Sequence, residues 1–195
     1  MAPFADRTLN IHQQVDKSVG LIKSLKERTG AIIKIALEIA AAFRRGNKVL
    51  LCGNGGSAAD AQHIAAELAG KFKLERPPLP AIALTTNTSV LTALANDFGY
   101  DEVFSRQVRA LAAPGDVVIG ISTSGNSPNV ILALEEARVK GVLAIAFSGC
   151  GGALKETANL CLDVPTSDTP RIQEAHITAG HIICALVEEE LFGEK

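Results

Sequence analysis

The chain has 195 residues, a formal net charge of -2 and 47% hydrophobic residues. That length suits one domain with a substantial core. The balance argues against a disordered chain, and against a nucleic-acid binder that works through a basic surface. Aromatic residues make up only 4%, with no Trp, so base-stacking platforms have little material. Met1 to Asn10 carry Asp6 and Arg7 and no apolar run, so no secretory signal is expected. No stretch is long and apolar enough for a bilayer span. Cys52, Cys150, Cys161 and Cys184 lack CxxC spacing and lie mostly among apolar neighbours. They read as reduced, buried small hydrophobes of a cytoplasmic protein.

Residues 6–28 and 30–46 predict two amphipathic helices. In the second, Ile32, Ile35, Ile39 and Phe43 recur at helical spacing, and Gly46-Asn47 ends it. Short apolar runs then alternate with helices. Val49 to Cys52 predicts a strand and residues 57–72 a helix. Ala81 to Leu84 predicts a second strand, with helices over 88–96 and 101–112. Asp116 to Ile121 predicts a third strand and residues 128–140 a helix. Val142 to Phe147 and Leu160 to Val164 predict two more strands, and residues 170–191 a last helix. Strands built of continuous Val, Ile and Leu indicate a parallel sheet covered on both faces. The expected class is α/β, a doubly wound five-stranded parallel sheet with additional N-terminal helices. Ligands of such sheets sit beyond the carboxyl ends of the strands.

The third strand runs into Ile121-Ser122-Thr123-Ser124-Gly125-Asn126-Ser127-Pro128, four hydroxyls within six residues. Ser127 fits an N-cap and Pro128 the first helical turn. Free N–H groups at a helix start make an uncharged anion site, and hydroxyls add donors. A cap needs one hydroxyl, so a phosphate-holding loop is the better reading. The first strand ends in Gly53-Asn54-Gly55-Gly56-Ser57, where glycine allows close backbone approach to a ligand. No Gly-Lys-Ser/Thr follows, so it is not a Walker A loop. Gly53, Gly55 and Ala58 fit a loose dinucleotide fingerprint, but the second strand ends in Leu84-Thr85-Thr86-Asn87 without the ribose-binding acid.

His63 and Glu67 stand four apart on the first crossover helix, one turn apart on one face, with Asp60 on the same side. On the last helix Gln173 and His181 are offset by about 80° at 3.6 residues per turn. Two imidazoles, a carboxylate and an amide oxygen would suit Zn²⁺. The same residues also read as a helical surface pair and a hydrogen-bonded core histidine. His12 and His176 have no partner by spacing and read as structural or exposed.

Taken together, several segments resemble the sugar isomerase (SIS) domain, and within it the phosphoheptose isomerases. These are Cys52 to Ser57, His63 through Glu67, Asn96-Asp97-Phe98-Gly99-Tyr100 with Phe104-Ser105-Arg106, the serine loop, and Arg171-Ile172-Gln173-Glu174 with His181. The resemblance implies a flavodoxin-like fold over residues 1–195, and a homotetramer with sites between subunits, to which helices 6–46 would contribute. It implies interconversion of sedoheptulose 7-phosphate and D-glycero-D-manno-heptose 7-phosphate, toward heptose units of lipopolysaccharide or a related surface polysaccharide. It further implies one zinc ion on His63, Glu67, Gln173 and His181, with Glu67 and His181 as the acid–base pair. Substrate contacts would come from Asn54, Gly55, Gly56, Ser57, Asn96, Asp97, Ser122, Thr123, Ser124, Ser127 and Gln173. Lys71 stands where some relatives carry Arg, which offers a bidentate fork that Lys lacks, so its contact with substrate stays open. So does that of Thr85 to Thr88. Two other readings compete. One is a non-catalytic phosphosugar-sensing or replication-initiator-binding module, whose known examples lack the Glu67 and His181 equivalents. The other is an isomerase of another sugar phosphate.

Overall fold

The computed structural model describes residues 4–193. Five strands form one parallel sheet in the order β2-β1-β3-β4-β5. They are β1 (Val49–Gly53), β2 (Ala81–Ala83), β3 (Val117–Ser122), β4 (Leu143–Ser148) and β5 (Leu160–Asp163). The eight α-helices of the described residues are α1 (Phe4–Ser24), α2 (Thr29–Arg44), α3 (Gly56–Ala69), α4 (Thr88–Phe98), α5 (Ser105–Leu111), α6 (Pro128–Val139), α7 (Leu154–Thr157) and α8 (Thr169–Phe192).

Alternation along each strand divides the core into two layers. Leu51, Ile119, Ile121, Ile145 and Phe147 meet α2, α3 and α8 on one face. Leu50, Cys52, Val118 and Ala146 meet α5 and α6 on the other. Every residue of β1 and β3 is buried, as continuous Val/Ile/Leu strands require. The helices after β1 and β3 leave to opposite faces, which opens a cleft between those two strand ends.

The predicted elements differ from the observed ones at several points, each with a local cause. The first helix is broken by a 3₁₀ turn over Leu25–Arg28. α3 stops at Ala69, three residues short of the predicted end. There Glu188 of α8 accepts the N–H groups of Phe72, Lys73 and Leu74 at 2.9, 2.8 and 3.0 Å, and a continued helix could not offer them. The short α7 was not predicted. α4 buries none of its residues fully, and only Leu91, Leu94 and Ala95 of it pack against the core. The cysteines are all free, but only Cys52 and Cys184 are buried; Cys150 is exposed on the glycine loop after β4.

Glu188 is also paired with Arg76 at 2.8 Å, the side chains being 2% and 1% exposed. Burial pushes the Glu188 carboxyl up, and the three N–H groups and the guanidinium together bring it below the usual carboxylate range. Removing one member of a buried pair leaves the other charge stranded. Glu188→Gln should therefore lose about 3–5 kcal/mol of stability in urea denaturation at neutral pH; a loss below that range would show that water reaches Arg76.

His176, exposed in neither layer, packs on the Phe147 ring and places Nε2 3.2 Å from the Ser148 carbonyl, while its Nδ1 has no partner. Burial lowers its pKa from 6.5 to about 4. Between those values the unfolded chain binds a proton that the folded chain refuses. Stability should thus fall as pH drops from about 6.5 toward 4, by about 3 kcal/mol for this group. Denaturation midpoints measured across that range should flatten in His176→Gln, and an equally steep slope in the variant would refute the assignment.

Candidate functional site

At the switch point between β1 and β3 the two polar loops face each other. Gly53 pairs in register with Ile121, so Asn54 and Ser122 leave neighbouring strands side by side. Asn54 and Asn129, the second residue of α6, exchange amide hydrogen bonds: Asn54 Nδ2 donates to Asn129 Oδ1 at 2.8 Å, and Asn129 Nδ2 to Asn54 Oδ1 at 2.9 Å. The Tyr100 hydroxyl adds a donor to the same Asn54 oxygen at 3.3 Å. That contact lays the end of α4, with the exposed Asn96–Asp97 hydrogen-bonded pair, beside the loop. Asn129 and Tyr100 had no role assigned from sequence. The available signal for the first was an Asn directly after the Ser127-Pro128 helix start.

The serine loop is organised by its own hydroxyls. Ser122 Oγ lies 2.8 Å from Ser127 Oγ and 3.4 Å from Ser124 Oγ, and Asn126 N–H donates to Ser124 Oγ at 3.1 Å. Ser127 occupies the N-cap of α6 as its position predicts, but its hydroxyl makes no cap bond and turns to Ser122 instead. The first-turn N–H groups of α6 are therefore not capped by that side chain. Gly125, at φ 67°, is wedged against the Gly151 carbonyl, where an added Cβ would come within 2.5 Å. Ser57 is buried at the start of α3, Thr123 is half-buried, and Ser124 is exposed.

The second cluster lies on the seam between α3 and α8. His63, Glu67 and His181 bring their ligand atoms within 4.8 Å of one another. His63 Nε2 stands 2.9 Å from His181 Nε2 and 3.2 Å from Glu67 Oε1. Two facing imidazole nitrogens satisfy each other only when one carries the proton. Converging lone pairs of this kind, with a carboxylate beside them, are what a cation satisfies in full. Ligand atoms bound at about 2.0–2.2 Å in a tetrahedral shell stand roughly 3.4 Å apart, so the donor set fits a three-ligand zinc site with one position open. Gln173 lies elsewhere: its amide covers Gly56, where a Cβ would sit 2.3 Å from Nε2. Gly56 precedes His63 by seven residues, about 10 Å along the helix. The triad and the strand-end loops thus occupy two levels of one chain.

Asp60, one turn before His63, has a buried Oδ2 without a partner. Burial raises its carboxyl to about 6, and the nearby His63 draws it partly back. Lys71 is exposed and pairs with Glu75 at 2.6 Å. Thr85 takes a hydrogen bond from Gln62 at 3.0 Å, and Asn87 caps α4 through Val90 N–H at 3.0 Å, so part of the Thr85–Thr88 segment has a structural duty.

Fold and loops together define a doubly wound α/β domain that offers an uncharged, hydroxyl-rich loop at its switch point and a His/Glu/His cluster on one flank. Residues 14–149 match the SIS domain family. A phosphoheptose isomerase of Citrifermentans bemidjiense is 58% identical over 94% of this chain and 97% of its own. Phosphoheptose isomerase 2 of Campylobacter jejuni is 53% identical over 98% and 92%. Among solved structures, the phosphoheptose isomerase of Neisseria gonorrhoeae superposes with a TM-score of 0.86 at 41% identity, covering 93% of this chain and 98% of that one. That of Francisella tularensis superposes at 0.87 with 35% identity, covering 97% and 100%. The chain belongs to the SIS domain family and, within it, to the phosphoheptose isomerases.

The Asn54–Asn129 pair makes a prediction about the loop independent of any reaction. Asn129→Ala leaves the Asn54 amide without its main partner, a cost of about 1–3 kcal/mol if Asn54 stays out of water. Thermal denaturation should show the loss; an unchanged melting temperature would mean that Asn54 turns out to solvent.

Proposed function

We propose that this protein is an aldose–ketose isomerase that converts D-sedoheptulose 7-phosphate into D-glycero-D-manno-heptose 7-phosphate. The observation that carries the reading is the convergence of His63, Glu67 and His181 from two helices in a chain whose serine loop sits at the switch point. The Asn129 N–H at the start of α6 and the hydroxyls of Ser122, Thr123, Ser124 and Ser127 would hold the phosphate. Asn54, Gly55, Gly56, Ser57, Gln173, Asn96 and Asp97 would meet the sugar. That remote binding fixes the reacting carbons at the proton-transfer groups.

Glu67 acts as base. It removes a proton from C1 of the ketose while protonated His181 gives a proton to the C2 carbonyl oxygen, which yields the 1,2-enediol. His181 then takes the proton from the C1 hydroxyl, and Glu67 returns its proton to C2, which leaves the aldehyde at C1. Both groups end as they began. His63, Glu67 and His181 would hold a zinc ion, which when bound supplies Lewis-acid stabilisation of the developing oxyanion; Glu67 and His181 would ligate it in one state and carry protons in another. The presence of Glu67 and His181 disfavours the non-catalytic sensing module.

A second copy of the chain would close the cleft over each site. Val15, Val19, Ile22, Ile33, Leu37 and Ile182 leave an apolar face exposed on α1, α2 and α8. We assign this face to packing between copies in a homotetramer, with residues 6–46 contributing much of it. Work in the cytoplasm, where its free thiols stay reduced, and supply of heptose units to lipopolysaccharide or a similar glycan complete the proposal. Among the described residues, no helix is long and apolar enough to cross a membrane.

Purified protein should convert sedoheptulose 7-phosphate in a panel of ketose phosphates, and a chelator should slow it. Glu67→Gln should lower turnover by roughly 10²–10⁴-fold with the fold intact. Near-normal turnover of that variant would remove Glu67 as base, and preference for a pentose or hexose phosphate would overturn the substrate.

A further inference from the structure

The geometry points to Phe72 as a positioning residue: its ring covers one face of the His181 imidazole and sets the plane in which Nε2 meets His63, and the buried Arg76–Glu188 pair holds it there. This inference rests on the reading of the triad as a metal and proton-transfer centre.

The Phe72 and His181 rings are stacked, with centroids 5.5 Å apart and planes 20° apart. At its Nε2 edge His181 meets His63, with centroids 5.0 Å apart and planes tilted by 59°. A ring covered on a flat face cannot tilt without losing that contact or striking the benzene. The stack therefore limits the angle at which Nε2 is presented.

Phe72 does not belong to the helix before it. Its N–H is taken by Glu188, as are those of Lys73 and Leu74. Glu188 in turn is fixed by Arg76 Nε at 2.8 Å. The same guanidinium donates to the Glu67 and Leu68 carbonyls, each at 2.8 Å. One buried ion pair thus secures both sides of the cluster: the end of α3 that carries Glu67, and the ring that rests on His181. Hydrophobic burial alone does not require an aromatic side chain here. Phe72 is only half-buried, and a leucine would fill the apolar part of its space without presenting a flat face.

That difference provides the test. Wild-type protein, Phe72→Leu and Phe72→Tyr are stripped with chelator and titrated with Co²⁺, followed by its visible absorption. The His181 ring-nitrogen resonances are compared in the metal-free state, and kcat and KM for sedoheptulose 7-phosphate in the loaded state. The leucine variant should melt with the wild type yet bind Co²⁺ about 10–100-fold more weakly, the scale expected for lost support of a ligand. Its kcat should fall with KM held, and its His181 resonances should shift and broaden. Tyrosine should restore all three. Wild-type Co²⁺ affinity and unchanged His181 resonances in the leucine variant would overturn the inference, as would a tyrosine variant no better than leucine. Should the wild type itself take up no Co²⁺, the metal reading fails, and the metal-free His181 spectra alone still decide the positioning role in either direction.

Discussion

The site depends on how closely α3 and α8 lie together. Both helices start at the carboxyl ends of their strands and run in the same direction across one face of the sheet, so residues meet in order along them. Gln173 meets Gly56, Gly180 meets Ile64, and His181 meets His63. Gly180 permits this approach, since a Cβ there would come within 2.7 Å of the Ile64 side chain. Gly56 does the same for Gln173. Two small residues a helix apart therefore set the distance at which imidazoles separated by 118 positions in the chain can face each other.

Around that seam the protein separates two kinds of polar group. The switch-point loops hold no formal charge; they offer hydroxyls, backbone N–H groups and amides that orient one another. Such donors suit a dianionic phosphate, because they are already positioned and require little rearrangement on binding. The titratable groups are concentrated on the helical flank. Other polar groups of the interior tie backbone segments together: Glu188 with Arg76, Asp116 with Lys48 at 2.6 Å, and the neutral His176. Each is satisfied, wholly or in part, by a neighbouring backbone segment: Glu188 by the loop after α3, Asp116 by Lys48 and Ala113 N–H groups, and His176 by the end of β4.

The exposed apolar face on α1, α2 and α8 belongs to the same design. Hydrophobic side chains such as Ile33 and Leu37 stay outside the core of one chain and form an exposed apolar face, the kind of surface that another protein surface covers.

The order of elements, the parallel sheet and the placement of polar loops at strand ends were all legible in the sequence, because continuous apolar runs and helical periodicity are local properties. So was the pairing of His63 with Glu67, which follows from four-residue spacing on one helix. The partners of that pair were not legible. His181 joins it through a helix-helix approach set by Gly180, and Gln173, expected beside it, is turned toward Gly56 two helical turns away. The end of α3 also escaped local reading. Apolar periodicity continues to Phe72, but three N–H bonds to a carboxylate 116 residues further on outweigh helix continuation there. Spacing along the chain decided which residues could act together on one helix; the packing of two helices decided which of them meet.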